Sequence, residues 1–188
     1  NGFACAAGVA VVPITSHIEN GFALPPIADF EKQITAKTKA IVICNPNNPT
    51  GYLYSRAELE AMRELCIKHD LYLFSDEAYR EFCYGGEFVS ALQLPGLENH
   101  AIVMDTISKR YSACGARIGA FVTRNKTVYD AVMKFAQARL SPPGLAQILG
   151  EAAVDLPAEY FDGPTGTWMG QQSRTYQTWT IVGFLLLH

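Results

Sequence analysis

Short apolar runs recur along the chain and predict the strands of a sheet. They cover residues 8–14, 39–44, 71–75, 101–106 and 118–123. Runs of this length, rich in valine and isoleucine, are typical of buried strands. The second run, KAIVIC, has no polar alternation, so we expect a parallel strand that is covered on both faces.

Amphipathic segments between these runs predict helices. They span residues 27–36, 55–70, 125–139 and 145–156. The second helix opens with Ser55 and Glu58, the spacing of a capping box, and Asn125 is the expected N-cap of the third. The expected core stripe of the third helix consists of Val128, Val132 and Phe135. Because strands and helices alternate, the sequence predicts an α/β fold with a mainly parallel sheet flanked by helices.

Composition narrows the class of protein. The 188 residues are 49% hydrophobic and 18% charged, with a mean hydropathy of +0.06, which is typical of a globular protein rather than a disordered one. The net charge of -3 and the lack of a basic run argue against nucleic acid as a partner. Five widely spaced cysteines without a C-x-x-C pair favour a reducing, cytoplasmic setting over a disulfide framework.

Three further features bear on the class. The histidines show no metal-ligand spacing, so no metal site is expected. Residues 181–187 are apolar but too few to cross a bilayer, so no membrane is expected as a partner. The chain begins without a methionine, and we expect it to be a fragment.

Polar motifs directly follow three of the predicted strands. NPNNPTG (45–51) comes after the second run, Asp76 after the third and Lys109 after the fourth. Ligands of a parallel sheet bind outside the carboxyl ends of its strands, so we expect these motifs to meet at one site. An amine, a carboxylate, a phenol, an amide and an arginine are the groups needed to hold pyridoxal phosphate (PLP), and the sequence therefore predicts a PLP site.

Lys109 and Asp76 carry the chemistry of this prediction. A lone Lys109 would most often extend into solvent. Near other cations, or in a pocket of low dielectric, its amine becomes a nucleophile that can form a Schiff base. Asp76 is costly to bury without a cation, and a pyridinium N–H is such a partner. The alternative for Asp76 is an N-cap on the following turn.

The phosphate of such a cofactor needs hydrogen-bond donors. Arg117, between Gly115 and Gly119, has the forked donor geometry that suits a phosphate dianion, the alternative being a surface arginine in a glycine-rich turn. Thr106 and Ser108 could add hydroxyl donors, or bond only to the local backbone.

The phenolic oxygen of the cofactor needs a partner too. Tyr79 lies three residues after Asp76, so one helical turn would project both to the same side. The alternative for Tyr79 is a core tyrosine with a satisfied hydroxyl. Asn48 could donate to the same oxygen, but Asn47 could equally be the turn residue, and the residues alone do not choose between them.

Three motifs, in this order, resemble the class I/II aminotransferases, the aspartate aminotransferase-like family of fold-type I PLP enzymes. They are NPNNPTG at 45–51, SDEAYREF at 75–82 and TISKRYSACGARIGA at 106–120. The resemblance covers about residues 8–160 and implies part of the PLP-transferase large domain, which works as a homodimer in this family. The resemblance implies that Asn48 and Tyr79 contact the phenolic oxygen of the cofactor and that Asp76 contacts its ring nitrogen. It also implies that Lys109 forms the Schiff base, and that the phosphate is bound by Thr106, Ser108 and Arg117.

The reaction implied by the resemblance is transamination between an amino acid and a 2-oxo acid. Lys109 would be both the covalent anchor and the group that moves a proton between the substrate α-carbon and the cofactor. Overall likeness favours aspartate as the amino acid, with aromatic or branched amino acids as alternatives.

The resemblance also predicts a domain organisation. We expect residues 1–162 to be a partial PLP-binding large domain and residues 163–188 to be a divergent tail, from a shifted reading frame or an unrelated segment. The small domain, with the arginine that grips the substrate α-carboxylate, is expected to be absent. We therefore expect the fragment to be weakly active.

Alternatives remain at the level of the reaction. A C–S lyase, a decarboxylase or a cyclopropane-forming synthase could use the same fold, because most residues that select the reaction lie outside this chain. A non-catalytic, aminotransferase-like sensor domain of a transcription regulator is a different class of protein. A plain α/β domain with coincidental motifs is disfavoured by three motifs in order.

Overall fold

The computed structural model describes residues 2–155, which form six helices and four strands. The helices are α1 (Gly2–Ala6), α2 (Ile27–Gln33), α3 (Arg56–His69), α4 (Ile107–Arg110), α5 (Lys126–Arg139) and α6 (Gly144–Asp155). The strands are β1 (Ala40–Cys44), β2 (Tyr72–Asp76), β3 (Ala101–Thr106) and β4 (Gly119–Thr123). Single 3-10 turns lie at Ile18–Asn20, Ala91–Gln93 and Cys114–Ala116.

The four strands form one sheet in the order β1-β2-β3-β4. β1 and β2 are parallel, as are β2 and β3, whereas β3 and β4 are antiparallel. The predicted α/β fold with a mainly parallel sheet and flanking helices is therefore confirmed. Because β4 runs the opposite way, its first residue, Gly119, lies beside Thr106, the last residue of β3.

A glycine at position 119 lets these two strands approach. A Cβ built on Gly119 would lie 2.7 Å from the carbonyl oxygen of Asp105, closer than side chains tolerate. The β3–β4 pairing therefore requires glycine at the point where both strands reach the end of the sheet.

The core lies between one face of the sheet and α3. Ser55 caps α3 with the predicted capping box, and the apolar face of the helix buries Leu59, Met62, Leu65 and Cys66. These side chains share a cluster with Leu73 of β2, Val103 of β3 and the segment that contains Val89, Ala91, Leu94 and Leu97. Helix propensity and capping select α3 locally, and burial of its apolar stripe stabilises it in the fold.

The other face of β1 departs from the sequence expectation. Val42 is 70% exposed, while its neighbours Ile41 and Ile43 face the core cluster. The prediction that this strand is covered on both faces is therefore wrong for the part of the chain that the structure describes. An apolar run shows that a strand can be buried, but its covering layer comes from elsewhere in the chain.

Two further expectations are wrong in detail. Residues 8–14 form no strand, and Val9, Val11 and Val12 are all more than half exposed. Pro13 cannot donate to a strand ladder, and no face of the segment is buried deeply enough to favour one. In α5 none of the 14 residues is buried, and Phe135, which was expected in a core stripe, is 77% exposed.

The other predicted elements lie within about one residue of their expected bounds at most ends, whereas α1 and α4 were not predicted. The helix expected over residues 27–36 ends at Gln33, where Ile34 adopts an extended conformation. Within residues 2–155 no helix is long and apolar enough to cross a bilayer. The predicted tail, residues 163–188, lies outside the described residues.

Candidate active site

The side chains predicted to bind a cofactor come from one end of the sheet. Asn48 follows β1, Asp76 ends β2, and Tyr79 lies in the turn after β2. At the next strand, Thr106 ends β3, and Ser108 and Lys109 lie in α4 directly after it. Arg117 precedes the first residue of β4, which pairs with Thr106. The topology thus gathers all seven residues at the carboxyl ends of the parallel strands, where such sheets bind ligands.

Asn48, Tyr79 and Lys109 form a contiguous group. The Nδ2 of Asn48 donates to the Tyr79 hydroxyl oxygen at 2.9 Å. The Nζ of Lys109 lies 5.7 Å from the centroid of the Tyr79 ring, within cation–π range. An amide, a phenol and an amine that are far apart in sequence therefore meet at one point.

The two neighbouring asparagines do different things. The Oδ1 of Asn47 accepts hydrogen bonds from the backbone nitrogen (3.3 Å) and the hydroxyl (2.9 Å) of Thr50, which closes the turn. Asn48 extends instead to Tyr79. Asn45 is buried and holds the turn from beneath, accepting from the Tyr54 backbone nitrogen at 3.1 Å. Because Asn45 and Asn47 are used within the turn, Asn48 is the asparagine whose amide is exposed at the end of the sheet.

Asp76 is half-buried at the end of β2, beside Cys44 of β1. Its Oδ1 accepts from the backbone nitrogen of Ala78 at 3.1 Å, so the local-turn alternative is part of its environment. Among residues 2–155 Asp76 forms no ion pair. Burial, together with the charge of Asp76, raises the pKa of the Cys44 thiol, so that this thiol stays protonated near neutral pH.

Thr106 and Ser108 form a hydroxyl pair at the start of α4. The Thr106 side chain caps the helix, accepting from the Ser108 backbone nitrogen at 3.1 Å. The two hydroxyl oxygens lie 2.8 Å apart, and Thr106 Oγ1 lies 2.9 Å from the carbonyl oxygen of Ile118. The Thr106 hydroxyl is therefore engaged locally and fixes α4 against the residue that follows Arg117.

Arg117 is exposed, and its guanidinium stays within its own turn. Its backbone is left-handed (φ 54°), and Nη1 donates to the carbonyl oxygen of Cys114 at 2.9 Å. Arg117 lies at the same end of the sheet as the other six residues, but its guanidinium donates to Cys114 rather than to Thr106 or Ser108. Of the seven residues, Arg117 is the least integrated with the others.

Sequence reasoning missed a buried ionic cluster beneath Lys109. Asp105 Oδ2 lies 2.7 Å from Arg110 Nη2 and 3.1 Å from Arg80 Nη2. Burial acts to lower the pKa of Arg110, but the carboxylates of Asp105 and Glu81 outweigh it and raise that pKa. The signal that could have found the cluster is the charged Asp105 inside the apolar run AIVMDT, since a buried carboxylate requires a cation.

Glu77 is a second buried carboxyl for which the sequence suggested no use. It is completely buried, and its Oε1 accepts from the Ala91 backbone nitrogen at 2.9 Å, so it ties the end of β2 to the segment covering the core. Burial raises the pKa of Glu77 to about 7, against the opposing hydrogen bond from the Ala91 nitrogen. Glu77 therefore supports the strand end from below and does not line the site.

Comparison with known proteins agrees with the motifs and the topology. The family model for aminotransferase class I and II matches residues 3–176, and so extends into the 163–188 segment. The chain is 37% identical to the aspartate aminotransferase of Bacillus subtilis over 156 residues, covering 81% of this chain and 39% of that protein. It is 39% identical over 114 residues to the arginine–pyruvate transaminase of Pseudomonas aeruginosa, covering 61% of this chain and 29% of that protein.

A solved structure gives the same result. Alanine aminotransferase from Pyrococcus furiosus superposes with a TM-score of 0.73 at 34% identity, covering 83% of this chain and 40% of that chain. This chain thus spans at most about two fifths of the length of these relatives. Its motifs, its sheet and a family match over nearly the whole sequence agree, and the chain belongs to the class I and II aminotransferase family.

Proposed function

We propose that this chain is the PLP-binding, lysine-bearing part of an aminotransferase that moves an amino group between an amino acid and a 2-oxo acid. The observation that carries the proposal is the meeting of Asn48, Tyr79 and Lys109 at the carboxyl ends of three strands. Family membership supplies the reaction class, and this cluster supplies the residues that would perform it.

The donor set of the site fits PLP. The cofactor presents an aldehyde, a phenolic oxygen, a ring nitrogen and a phosphate. The chain presents an exposed amine, an amide–phenol pair 2.9 Å apart, a half-buried carboxylate, a pair of hydroxyls and an exposed guanidinium in the turn before β4. Asp76 has no ion-pair partner among residues 2–155, so a protonated ring nitrogen would complete its environment.

Each group has one task in this proposal. Asn48 and Tyr79 would hold the phenolic oxygen, since the amide already orients the phenol. Asp76 would keep the ring nitrogen protonated. The phosphate would be held by the hydroxyls of Thr106 and Ser108 and by Arg117, whose fork would exchange the Cys114 carbonyl for phosphate oxygens. When bound, PLP supplies an electron sink for the substrate α-carbon.

Lys109 would perform two tasks in succession. Its amine would hold the aldehyde carbon of the cofactor, and it would be free again once the amine of an amino acid has taken its place. The freed amine, still beside Tyr79, would take a proton from the substrate α-carbon as a general base. A primary amine at this position therefore both loads the site and moves the proton that transamination requires.

The amino acid is proposed from likeness to named relatives. Those relatives are named for aspartate, for alanine and for arginine with pyruvate. We propose aspartate as the first substrate to test, in a homodimeric, cytoplasmic enzyme. The chain by itself should bind PLP weakly and turn over poorly, because Asn48, Lys109 and Arg117 are exposed in it.

Trapping of the cofactor tests the proposal. PLP is added to the purified chain, the absorbance is scanned before and after borohydride, and the reduced protein is digested for peptide mass spectrometry. We expect a pyridoxyl group on Lys109. Lys109→Ala should remove both the band and the adduct, while Lys126→Ala, which removes a lysine paired with Asp130 on α5, should leave both unchanged. Labelling spread evenly over surface lysines, with Lys109 not enriched, would overturn the proposal.

A further inference from the structure

A cluster of two arginines and two carboxylates lies directly beneath the proposed lysine. The ionic cluster consists of Arg80, Glu81, Asp105 and Arg110. Besides the two contacts to Asp105, Arg110 Nε lies 3.5 Å and Arg80 Nε 3.6 Å from Glu81 Oε1. The side chains of Asp105 and Arg110 are only 3% and 5% exposed, and that of Arg80 is 10% exposed. Two positive and two negative charges balance, so the cluster has no net charge to offer a ligand.

The position of the ionic cluster is more informative than its charge. Arg80 directly follows Tyr79, and Arg110 directly follows Lys109. Both guanidinium groups converge on the same oxygen, Oδ2 of Asp105. The Asp105 carboxylate therefore links the turn that contains Tyr79 to the short helix that contains Lys109. The Nζ of Lys109 lies 5.7 Å from the centroid of the Tyr79 ring.

Helix α4 needs such a link. It has only four residues, too few for a helix to be stable by its own hydrogen bonds. Its start is fixed by the Thr106 cap, and Asp105 Oδ1 accepts from the Thr106 backbone nitrogen at 2.7 Å. Its end is fixed by Arg110 on Oδ2 of the same carboxylate. Asp105 thus holds both ends of the helix that presents Lys109.

Stability alone does not account for this arrangement. A buried ion pair gains little over apolar residues of the same size, because desolvation offsets the attraction. What the contact adds is direction, because the short, charge-assisted bond from Arg110 Nη2 to Asp105 Oδ2 (2.7 Å) fixes where the end of α4 lies. Resting on the proposed function, we propose that Arg110, acting through Asp105, is a positioning residue that fixes the Lys109 amine relative to Tyr79.

The test measures Lys109 in two independent ways in the same chain. The first is the yield of borohydride-trapped pyridoxyl group on Lys109 at a fixed, sub-saturating PLP concentration. The second needs no cofactor: trace labelling with acetic anhydride, read by mass spectrometry as the rate at Lys109 divided by the rates at Lys32 and Lys126. Those two lysines are paired within their own helices and provide the internal reference.

Arg110→Met keeps length and apolar volume but removes the guanidinium that donates to Asp105. We expect it to lower trapping at Lys109 by about tenfold, because small misplacements of a reacting group have large effects on rate. We also expect it to change the labelling ratio of Lys109 but not the rates at Lys32 or Lys126. Arg110→Lys, which keeps the charge on a shorter side chain without the guanidinium plane, should restore trapping only in part. Arg56→Met, which breaks the exposed Arg56–Glu60 pair, is the matched control and should change neither measurement.

Each outcome decides one claim. A folded Arg110→Met chain, verified by circular dichroism, with unchanged trapping and an unchanged labelling ratio overturns the positioning proposal. Should that variant unfold, Arg110→Lys and Asp105→Asn carry the comparison, and wild-type values in both would overturn it equally. If the wild-type chain forms no adduct at Lys109, the proposed function fails, while the labelling ratio still decides whether Arg110 positions the amine.

Discussion

Helices α3 and α5 have the same length and contrasting surroundings. Each has 14 residues, an N-cap side chain that accepts a backbone hydrogen bond, and an apolar stripe. Helix α3 buries four side chains against the sheet, whereas α5 buries none and leaves Phe135 77% exposed. The difference lies in what the fold brings against each stripe, because the local patterns are equivalent.

This contrast separates two kinds of information in a helical sequence. Capping residues and the 3.6-residue period determine that a helix forms and where it begins. The free energy that a helix contributes to the fold depends on the apolar area it buries, and that requires a partner surface. Helix α3 should therefore unfold only with the whole domain, and α5 should open locally at lower free energy.

Truncation of one apolar side chain in each helix gives the largest expected difference. Leu65 of α3 is 2% exposed, so Leu65→Ala should lower the free energy of unfolding by about 2–5 kcal/mol through lost burial and the cavity left behind. Phe135→Ala in α5 should change it by less than about 0.5 kcal/mol, as exposed substitutions do. Urea denaturation followed by circular dichroism measures both.

Alanine is a good helix former, so neither substitution should weaken its helix intrinsically. Equal destabilisation by the two variants would mean that α5 packs against a surface as α3 does. The comparison between the helices would then be wrong.

The stability of the fold should also depend on pH, through a carboxyl group buried beside the sheet. The folded-state pKa of Glu77 is about 7, above its ordinary value of 4.5, because burial disfavours the charged form. Between those values the folded chain holds a proton that the unfolded chain has released. Stability should therefore fall as the pH rises from about 4.5 to about 7, by up to roughly 3 kcal/mol.

Glu77→Gln should remove this loss. The amide oxygen can still accept from the Ala91 nitrogen, but the side chain stays neutral, so the variant should exceed the wild type in stability at pH 8 and not at pH 4.5. Glu64→Gln, at an exposed position of α3, is the control and should follow the wild-type curve. Parallel curves for wild type and Glu77→Gln across this range would contradict the argument.

Local signals predicted the elements more fully than the contacts between them. Ser55 with Glu58 and Asn125 marked the helix starts because caps bond to residues three positions away. Residues 101–106 were predicted with the bounds that β3 has, since a strand between polar neighbours has few alternatives. The positions of Asn48, Asp76 and Lys109 directly after predicted strands likewise predicted that they would lie at one end of the sheet, at the carboxyl ends of its parallel strands.

Non-local pairings were not predictable in the same way. The contact of Arg80 with Asp105 joins residues 25 positions apart, and although a carboxylate inside an apolar run indicates a cation partner, the sequence does not say which cation it is. The exposure of Val42 and of Phe135 likewise depends on which surfaces the rest of the fold supplies. A pattern of apolar positions reports the capacity for burial, and only tertiary structure reports its use.

The smallest expected effect compares the two helix caps. The Ser55 hydroxyl accepts from the Glu58 nitrogen at 3.3 Å, and the Glu58 carboxylate binds back to the Ser55 nitrogen and also accepts from Leu24 and Tyr52. Ser55→Ala should lower the global free energy of unfolding by about 1 kcal/mol, the usual contribution of a cap, because α3 unfolds with the domain.

Asn125→Ala removes the 3.0 Å bond from the Val128 nitrogen and the 2.7 Å bond to the Asn99 carbonyl oxygen, and it does so at a helix without a fully buried side chain. We expect it to accelerate amide hydrogen exchange in the first turns of α5. The global free energy of unfolding, measured with urea, should change by less than about 0.5 kcal/mol, because α5 can open while the sheet stays folded. Exchange measured residue by residue by NMR separates the two cases. If Asn125→Ala lowered the global free energy of unfolding as much as Ser55→Ala, α5 would unfold in the same cooperative unit as α3. The exposure of the apolar side chains of a helix would then not indicate whether the helix unfolds with the core.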